Sequence, residues 1–155
     1  MKDNRVEILL VEDNPDDAEL VMMALEQNKN IADCKIHFAK DGIEALQYLF
    51  GFGDEDSGDE DSTLINRPHM IILDLYMPRL DGLEFLKKIR EHPEAKNIPI
   101  VVLTASEKKT DWVDSHSLGI DCYVHKSVDF NQFVKATGLA LLSAIEEKTV
   151  YSHQY

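Results

Sequence analysis

The sequence predicts an α/β fold in which a doubly wound, five-stranded parallel sheet is covered by helices on both faces. Two observations lead to this prediction. Five short apolar runs end in turn-forming or polar residues, and each is followed by a segment whose apolar residues recur at helical spacing. Strands that alternate with helices in this way, as (βα)5, form parallel sheets with crossover connections. The 155 residues are enough for one domain with one hydrophobic core.

The first strand–helix unit begins at residue 6. Residues 6–11 form an apolar, β-branched run that predicts a buried strand. Asn14 and Pro15 mark the start of a helix, because Asn caps helices and Pro suits the first helical position. Four apolar residues at helical spacing are predicted to face the core: Ala18, Val21, Met22 and Leu25.

The second and third units repeat this pattern. The second strand is predicted at residues 34–39 and the third at residues 70–73, ending at Asp74. Helices begin after Asp41 and Asp81, each of which precedes a glycine. The apolar residues predicted to face inward from these two helices are Ala45, Leu46, Leu49, Phe50, Leu83, Leu86 and Ile89.

The last two units are predicted in the same way. The fourth strand is expected at residues 98–103, ending at Thr104, and the fifth at residues 120–125, just before Lys126. A weaker helix is predicted between them at residues 108–118. A long final helix is marked by Phe130, Phe133, Val134, Leu141, Leu142 and Ile145.

Composition and charge narrow the classes of function. The formal net charge of −13 disfavours nonspecific binding to nucleic acid. No apolar run reaches the roughly 18 residues of a membrane span, and the N-terminus does not look like a signal peptide, so we expect a cytoplasmic protein. Cys34 and Cys122 form no metal-ligand pair and are expected to be buried, reduced thiols. We expect a single domain over residues 1–148, a short tail over 149–155 and no output domain.

Chemically active residues follow four of the five predicted strands. Glu12 and Asp13 come after the first strand, and Asp74 ends the third. Thr104 ends the fourth strand, and Lys126 follows the fifth. Because sites in parallel sheets form where the strands end, we expect these side chains to lie at one edge of the sheet.

Their chemistry points to phosphoryl transfer. Three carboxylates at one edge repel each other, so a hard divalent cation such as Mg²⁺ is expected to neutralise them. A carboxylate beside a metal and Lys126 can act as a nucleophile toward phosphorus, and the hydroxyl of Thr104 can donate to a phosphoryl oxygen. We therefore predict transfer of a phosphoryl group to Asp74. For Asp13 alone, a role as a helix cap is an equally good interpretation.

Four motifs in this chain resemble the receiver domains of two-component response regulators. They are Leu10-Val11-Glu12-Asp13-Asn14, Leu73-Asp74-Leu75-Tyr76-Met77-Pro78 with Asp81-Gly82, Leu103-Thr104-Ala105, and Tyr123-Val124-His125-Lys126. The resemblance covers nearly the whole chain in the family's order. It implies a flavodoxin-like (βα)5 fold with strand order 2-1-3-4-5, and a signalling domain that assists only its own phosphorylation and dephosphorylation.

The resemblance also implies a role for each site residue. Asp74 would be the phosphoacceptor, forming a 4-aspartylphosphate with a phosphoryl group from the phosphohistidine of a sensor histidine kinase. Glu12, Asp13, Asp74 and the main-chain carbonyl of Tyr76 would hold Mg²⁺, for which Mn²⁺ would substitute. Lys126 would pair with the phosphoryl group. As an alternative function, the protein would be a phosphorelay intermediate that passes the group to a histidine phosphotransfer protein.

The signal would be read out by a change of shape. By the same resemblance, Thr104 would turn toward the phosphoryl group, and Tyr123 would swing from exposed to buried. The face formed by the fourth helix, the fifth strand and the final helix would then bind a partner protein differently. An ordinary strand aromatic remains the alternative for Tyr123.

Two features depart from the usual receiver pattern. Receivers usually have a proline after the lysine, commonly with a cis peptide bond, and this chain has Ser127 there. Because a non-proline cis bond costs about 2.5–4 kcal/mol, the loop is not expected to keep the family's geometry. Residues 54–61 carry six acidic residues, but counted from Asp54 the positions that a calcium loop needs as glycine and glutamate are Asp59 and Ile65. This stretch predicts either a solvated loop or a docking element for a basic surface.

Together, the long acidic loop and the Lys126-Ser127 pair resemble response regulators that partner phytochrome-type histidine kinases. That subgroup implies a homodimer formed near the fourth helix, the fifth strand and the C-terminal region. Trp112, Phe130 and residues 151–155 are candidates for its interface. The alternative for each is local packing or fraying, and fraying is the commoner case for tails.

Two other classes use related chemistry or a related fold. Phosphatases of the haloacid dehalogenase type need a second aspartate two residues after the nucleophile, where this chain has Tyr76. Flavin proteins of the flavodoxin type bind a phosphate in the first loop, but residues 12–17 here are too acidic for that. Both classes are disfavoured.

Overall fold

The protein forms an α/β sheet structure, seen here in a computed structural model. The structure describes residues 6–27, 35–51, 64–74, 82–104 and 122–125, together with 135, 138 and 139, and gives only the backbone for Thr104 and residues 122–125. Within these residues the elements are β1 (Glu7–Val11), α1 (Pro15–Gln27), β2 (Lys35–Ala39), α2 (Gly42–Phe50), β3 (Met70–Asp74), α3 (Gly82–Glu91), β4 (Ile100–Thr104) and β5 (Cys122–His125).

The five strands form one parallel sheet in the order β2-β1-β3-β4-β5, which confirms the predicted topology. β1 pairs with β2 on one side and with β3 on the other. β4 joins β3, and β5 forms the far end. All strands therefore end at the same edge of the sheet, which we call the carboxyl edge.

Helices cover both faces of this sheet, because successive strand residues point to opposite sides. On one face α1 packs against the strands in a cluster of Ile8, Leu10, Ala18, Val21, Ala24, Leu25, Met70, Ile72, Val101 and Leu103. On the other face α2 and α3 pack against the alternate strand positions, which include Leu9, Val11, Ile71, Leu73, Ile100 and Val102. The sheet is therefore doubly wound, as predicted. No helix in the described part of the chain is both long and apolar enough to cross a membrane.

The helix α1 begins as predicted but buries a different stripe. Ala18, Val21 and Leu25 are buried, whereas Met22 is 39% exposed and Ala24 takes its place in the core. The buried stripe of α1 is centred near Val21 and includes Ala24. Met22 lies about 100° around the helix from Val21, on the side away from Ala24, and so falls at the edge of this stripe. The prediction for Met22 was wrong.

The other helices follow the sequence closely. Asp41 caps α2, and its side chain accepts a hydrogen bond from the Glu44 N–H at 2.8 Å. All four residues predicted to face inward from α2 are buried. In α3, Leu86 and Ile89 are buried and Leu83 is partly buried. Phe85, which the sequence interpretation left out, is also fully buried.

The fourth strand is shorter than predicted, and the fifth is described only over Cys122–His125. β4 begins at Ile100 rather than Ile98, because the Ile98 N–H donates to the Ala95 carbonyl in a preceding turn and Pro99 has no N–H to donate. Cys122 begins β5. Lys135, Gly138 and Leu139 have helical backbone, where the final helix is predicted. The predicted helix at 108–118, the remainder of the final helix, and Cys34 lie outside the described residues.

The helix α2 ends in a tight junction. Gly51 adopts a left-handed conformation with φ 76°, and its N–H donates to the Gln47 carbonyl at 2.7 Å. The N–H groups of Ile65 and Asn66 both donate to the Leu49 carbonyl, at 2.7 and 3.2 Å. The chain that leads into β3 is therefore fixed to the last turn of α2.

The replacement Gly51→Ala tests this junction. We expect it to lower the free energy of unfolding by about 1–2 kcal/mol, because a side chain is strained at this φ and its Cβ would overlap Ile65 Cδ1. Urea denaturation of the variant measures the loss. Most of the loss should remain when Ile65→Ala is added, since the strain lies in the backbone. A Gly51→Ala protein as stable as the wild type would contradict the left-handed end of α2.

Candidate functional site

Asp74 lies at the centre of the carboxyl edge. It is the last residue of β3, the middle strand of the sheet, and it pairs in register with Leu103 of β4. The residue is only 5% exposed. Its carboxylate is therefore held at the end of a fully buried strand, with β1 on one side and β4 on the other.

Glu12 is placed beside Asp74 by the register of β1 and β3. Val11 of β1 pairs with Leu73 of β3. The residues that follow this pair, Glu12 and Asp74, are therefore neighbours at the carboxyl edge. The Glu12 N–H donates to the Ala39 carbonyl of β2 at 2.9 Å, which fixes the backbone just beyond β1. The Glu12 side chain is 1% exposed, and its Oε1 accepts a hydrogen bond from the Asn14 N–H at 3.2 Å.

Asp13 completes a cluster of three carboxylates. Each of Glu12, Asp13 and Asp74 offers an oxygen, and these three oxygens lie within 4.8 Å of one another. Asp13 is exposed, whereas the other two are buried. Asp13 is not the helix cap, because Asn14 Oδ1 accepts the hydrogen bonds at the start of α1. The cap interpretation of Asp13 was therefore wrong, and its carboxylate is left in the cluster.

This cluster fits a hard divalent cation. Carboxylate oxygens are the ligands that Mg²⁺ prefers, at about 2.0–2.1 Å, so two oxygens on one ion lie at most about 4.2 Å apart. The observed limit of 4.8 Å is within about 1 Å of that range. Buried carboxylates this close together raise each other's electrostatic energy, and a cation between them removes the repulsion. The donor set alone therefore favours a metal site at the carboxyl edge.

Two further site residues are described through their backbone alone. Thr104 ends β4 and pairs in register with His125, and Tyr123 pairs with Val102. Thr104 thus lies one residue beyond the partner of Asp74, at the same edge of the sheet. The orientations predicted for the Thr104 and Tyr123 side chains stay predictions.

The remaining predicted residues lie outside the part of the chain that the structure describes. These are Tyr76, Lys126 and Ser127 at the site, Trp112 and Phe130 of the proposed dimer, the acidic stretch 54–61 and the tail 151–155. Their roles stay predictions.

Sequence interpretation missed the link between Glu12 and the start of α1. It identified Asn14 as a cap but did not foresee that the Asn14 N–H bonds to the Glu12 carboxylate. The sequence does contain a sign of this link. Glu12 and Asp13 are followed directly by Asn14 and Pro15, so the candidate metal ligands stand next to the residue that caps the helix.

The known proteins that this chain resembles in sequence and in structure include several response regulators. Residues 8–138 match the response regulator receiver domain family. Response regulator Rcp1 of Synechocystis sp. (strain ATCC 27184 / PCC 6803 / Kazusa) is 35% identical over 128 residues, which cover 83% of this chain and 81% of Rcp1.

Two solved structures are also similar. The phosphorylated cyanobacterial phytochrome response regulator RcpA matches with a TM-score of 0.71 and 34% identity, over 86% of this chain and 89% of that one. The Mn²⁺-bound form of Rcp1 matches with a TM-score of 0.70 and 35% identity, over the same shares of the two chains.

Proposed function

Because this chain belongs to the response regulator receiver family, we propose that it is a phosphorylation switch whose acceptor is Asp74. The observation that carries this proposal is the convergence of Glu12, Asp13 and Asp74 within 4.8 Å at the end of a buried central strand. The phosphoryl donor is the phosphohistidine of a sensor histidine kinase.

The transfer forms one bond and breaks another. A carboxylate oxygen of Asp74 attacks the phosphorus, a P–O bond forms, and the P–N bond to the kinase histidine breaks. The electron pair of that bond returns to the imidazole nitrogen. The switch is turned off by hydrolysis. Water attacks the phosphorus of the acyl phosphate and restores the Asp74 carboxylate with release of inorganic phosphate.

The surrounding residues prepare Asp74 for this step. Glu12, Asp13, Asp74 and the main-chain carbonyl of Tyr76 would hold Mg²⁺, which when bound offsets negative charge on the phosphoryl oxygens. The Mn²⁺-bound form of the relative Rcp1 favours a divalent ion here as well. Lys126 supplies a positive charge to the phosphoryl group, and Thr104 supplies a hydroxyl donor. The burial of Asp74 keeps bulk water from most of its surface.

Phosphorylation would be read as a change of shape. We propose that Thr104 turns toward the phosphoryl group and that Tyr123 moves into the space vacated near β4. The similarity to RcpA, a phytochrome response regulator, favours a phytochrome-type kinase as the partner. A homodimer that uses the region around β5 would then be the form that responds to the signal.

Phosphorylation by a small donor tests the chemistry directly. With acetyl phosphate and Mg²⁺, the protein should gain one acid-labile phosphate, which intact-mass measurement counts. Excess chelator should reduce the yield to background, because the carboxylate cluster then lacks its cation. Beryllofluoride, which mimics a phosphoryl group, should likewise bind only when a divalent ion is present. Phosphate incorporation that is equal in chelator would disprove the metal role of Glu12 and Asp13.

A further inference from the structure

Asn14 connects the start of α1 to the carboxylate cluster. Its side-chain Oδ1 accepts hydrogen bonds from the N–H groups of Asp16 and Asp17, at 2.9 and 3.3 Å. Its carbonyl accepts from the Ala18 N–H at 3.0 Å. Its own N–H donates to Glu12 Oε1 at 3.2 Å. The side chain and both main-chain polar groups of Asn14 are therefore engaged in one short segment.

These bonds fix the direction of the Asn14 N–H. The side-chain cap holds residue 14 in the conformation of a helix start, and Pro15 restricts it further from the other side. An N–H that points in one direction fixes the oxygen that accepts from it. Because Glu12 is 1% exposed and its backbone is bound to Ala39, this bond orients the carboxylate that faces Asp13 and Asp74.

We propose that Asn14 is a positioning residue for the divalent cation, acting through the carboxylate of Glu12. The inference rests on the metal role given to Glu12 in the proposed function. A residue that only capped α1 would affect stability without affecting the affinity for the ion. A residue that helps to orient Glu12 affects both, since a carboxylate held by fewer hydrogen bonds loses more rotational freedom when it binds the ion.

The test compares two replacements at this position. Asn14→Ala removes the cap, and we expect it to weaken Mn²⁺ binding by up to about fivefold, the limit that is reached if the whole free energy of the cap, about 1 kcal/mol, is coupled to the ion. Asn14→Ser keeps an oxygen that can cap without adding charge, and it should bind within about twofold of the wild type. Mn²⁺ is a suitable probe because the electron paramagnetic resonance signal of the free ion gives the dissociation constant without any phosphorylation step.

A variant elsewhere separates affinity from stability. Gln47→Gly lies in α2, at an exposed position, and weakens a helix by a comparable amount. It should lower the melting temperature and leave the Mn²⁺ dissociation constant unchanged. Thermal melts of all variants confirm that each is folded at the temperature of the titration.

A double-mutant cycle then asks whether Asn14 acts through Glu12. In the Glu12→Ala background, adding Asn14→Ala should change Mn²⁺ affinity by less than about 1.5-fold, because the acceptor of the Asn14 N–H is already gone. A full fivefold loss in that background would overturn the inference.

The outcomes for the wild type and the variants distinguish the two claims. If the wild type binds Mn²⁺ and Asn14→Ala binds it equally well, the positioning role is wrong and the metal site stands. If the wild type does not bind Mn²⁺ at millimolar concentrations, the metal role of the cluster is wrong, and the positioning role is wrong with it.

Discussion

Replacing Asp74 with asparagine is expected to abolish phosphorylation by acetyl phosphate. The amide nitrogen and oxygen of asparagine are far weaker nucleophiles than a carboxylate, while the side chain keeps nearly the same volume. Since Asp74 is almost fully buried at the end of β3, the similar shape should preserve the fold. Intact mass after incubation with Mg²⁺ and acetyl phosphate should show no added phosphate.

A second buried acid provides the matched control. Asp41 is 2% exposed and follows β2, so it is also a buried aspartate near the carboxyl edge. Its carboxylate caps α2 through the Glu44 N–H, a bond that the oxygen of an asparagine can also accept. Asp41→Asn should therefore still gain one phosphate. If Asp74→Asn gains it as well, the acceptor has been wrongly assigned.

Replacing Asp13 with asparagine is expected to change stability in opposite directions with and without Mg²⁺. Without a divalent ion, the variant should be more stable by about 1 kcal/mol, the repulsion of two charges about 4 Å apart in water. With the ion, the wild type gains about 2.7 kcal/mol when Mg²⁺ is present at 100 times its dissociation constant. The variant has lost a ligand, and a tenfold weaker affinity would give it only about 1.4 kcal/mol at the same Mg²⁺ concentration, so with the ion it should be the less stable protein.

Urea denaturation in chelator and in Mg²⁺ measures both effects. Asp16→Asn is the control, because Asp16 is an exposed acid in the first turn of α1 and is not one of the three clustered carboxylates. Its removal should shift stability slightly and in the same direction under both conditions. An Asp13→Asn protein that gains as much stability from Mg²⁺ as the wild type would show that Asp13 is not a ligand.

The sequence was sufficient to predict the layers of the fold but not every contact between them. Apolar runs and helical spacing identified the strands and the described helices, because both patterns follow from which side of an element is buried. Periodicity does not show where the sheet lies beneath a helix, so it misplaced Met22 and left out Phe85. The order of the strands came from the family resemblance, since alternation alone fits several parallel sheets.

The candidate site could be predicted as a set of residues but not as a geometry. Glu12, Asp13 and Asp74 were expected together because parallel strands end at one edge. Which residue caps α1 was open between Asp13 and Asn14, since both side chains suit that position. The answer depends on the backbone angles of the loop after β1, which tertiary contacts such as the Glu12 N–H bond to Ala39 determine.

The junction at the end of α2 has a consequence for how this chain can vary in length. Because α2 follows β2, it starts near the carboxyl edge and ends at the opposite edge, where Ile65 and Asn66 are bound to Leu49. The segment between Gly51 and Ile65 is therefore held at both of its ends, by the Gly51 bond to Gln47 and by the Ile65 bond to Leu49, whatever its length. For a flexible connection between two fixed points, doubling the length costs only about 0.6 kcal/mol. We therefore expect the protein to accept insertions and deletions here, at the edge of the sheet opposite Asp74, with little effect on the chemistry at the carboxyl edge.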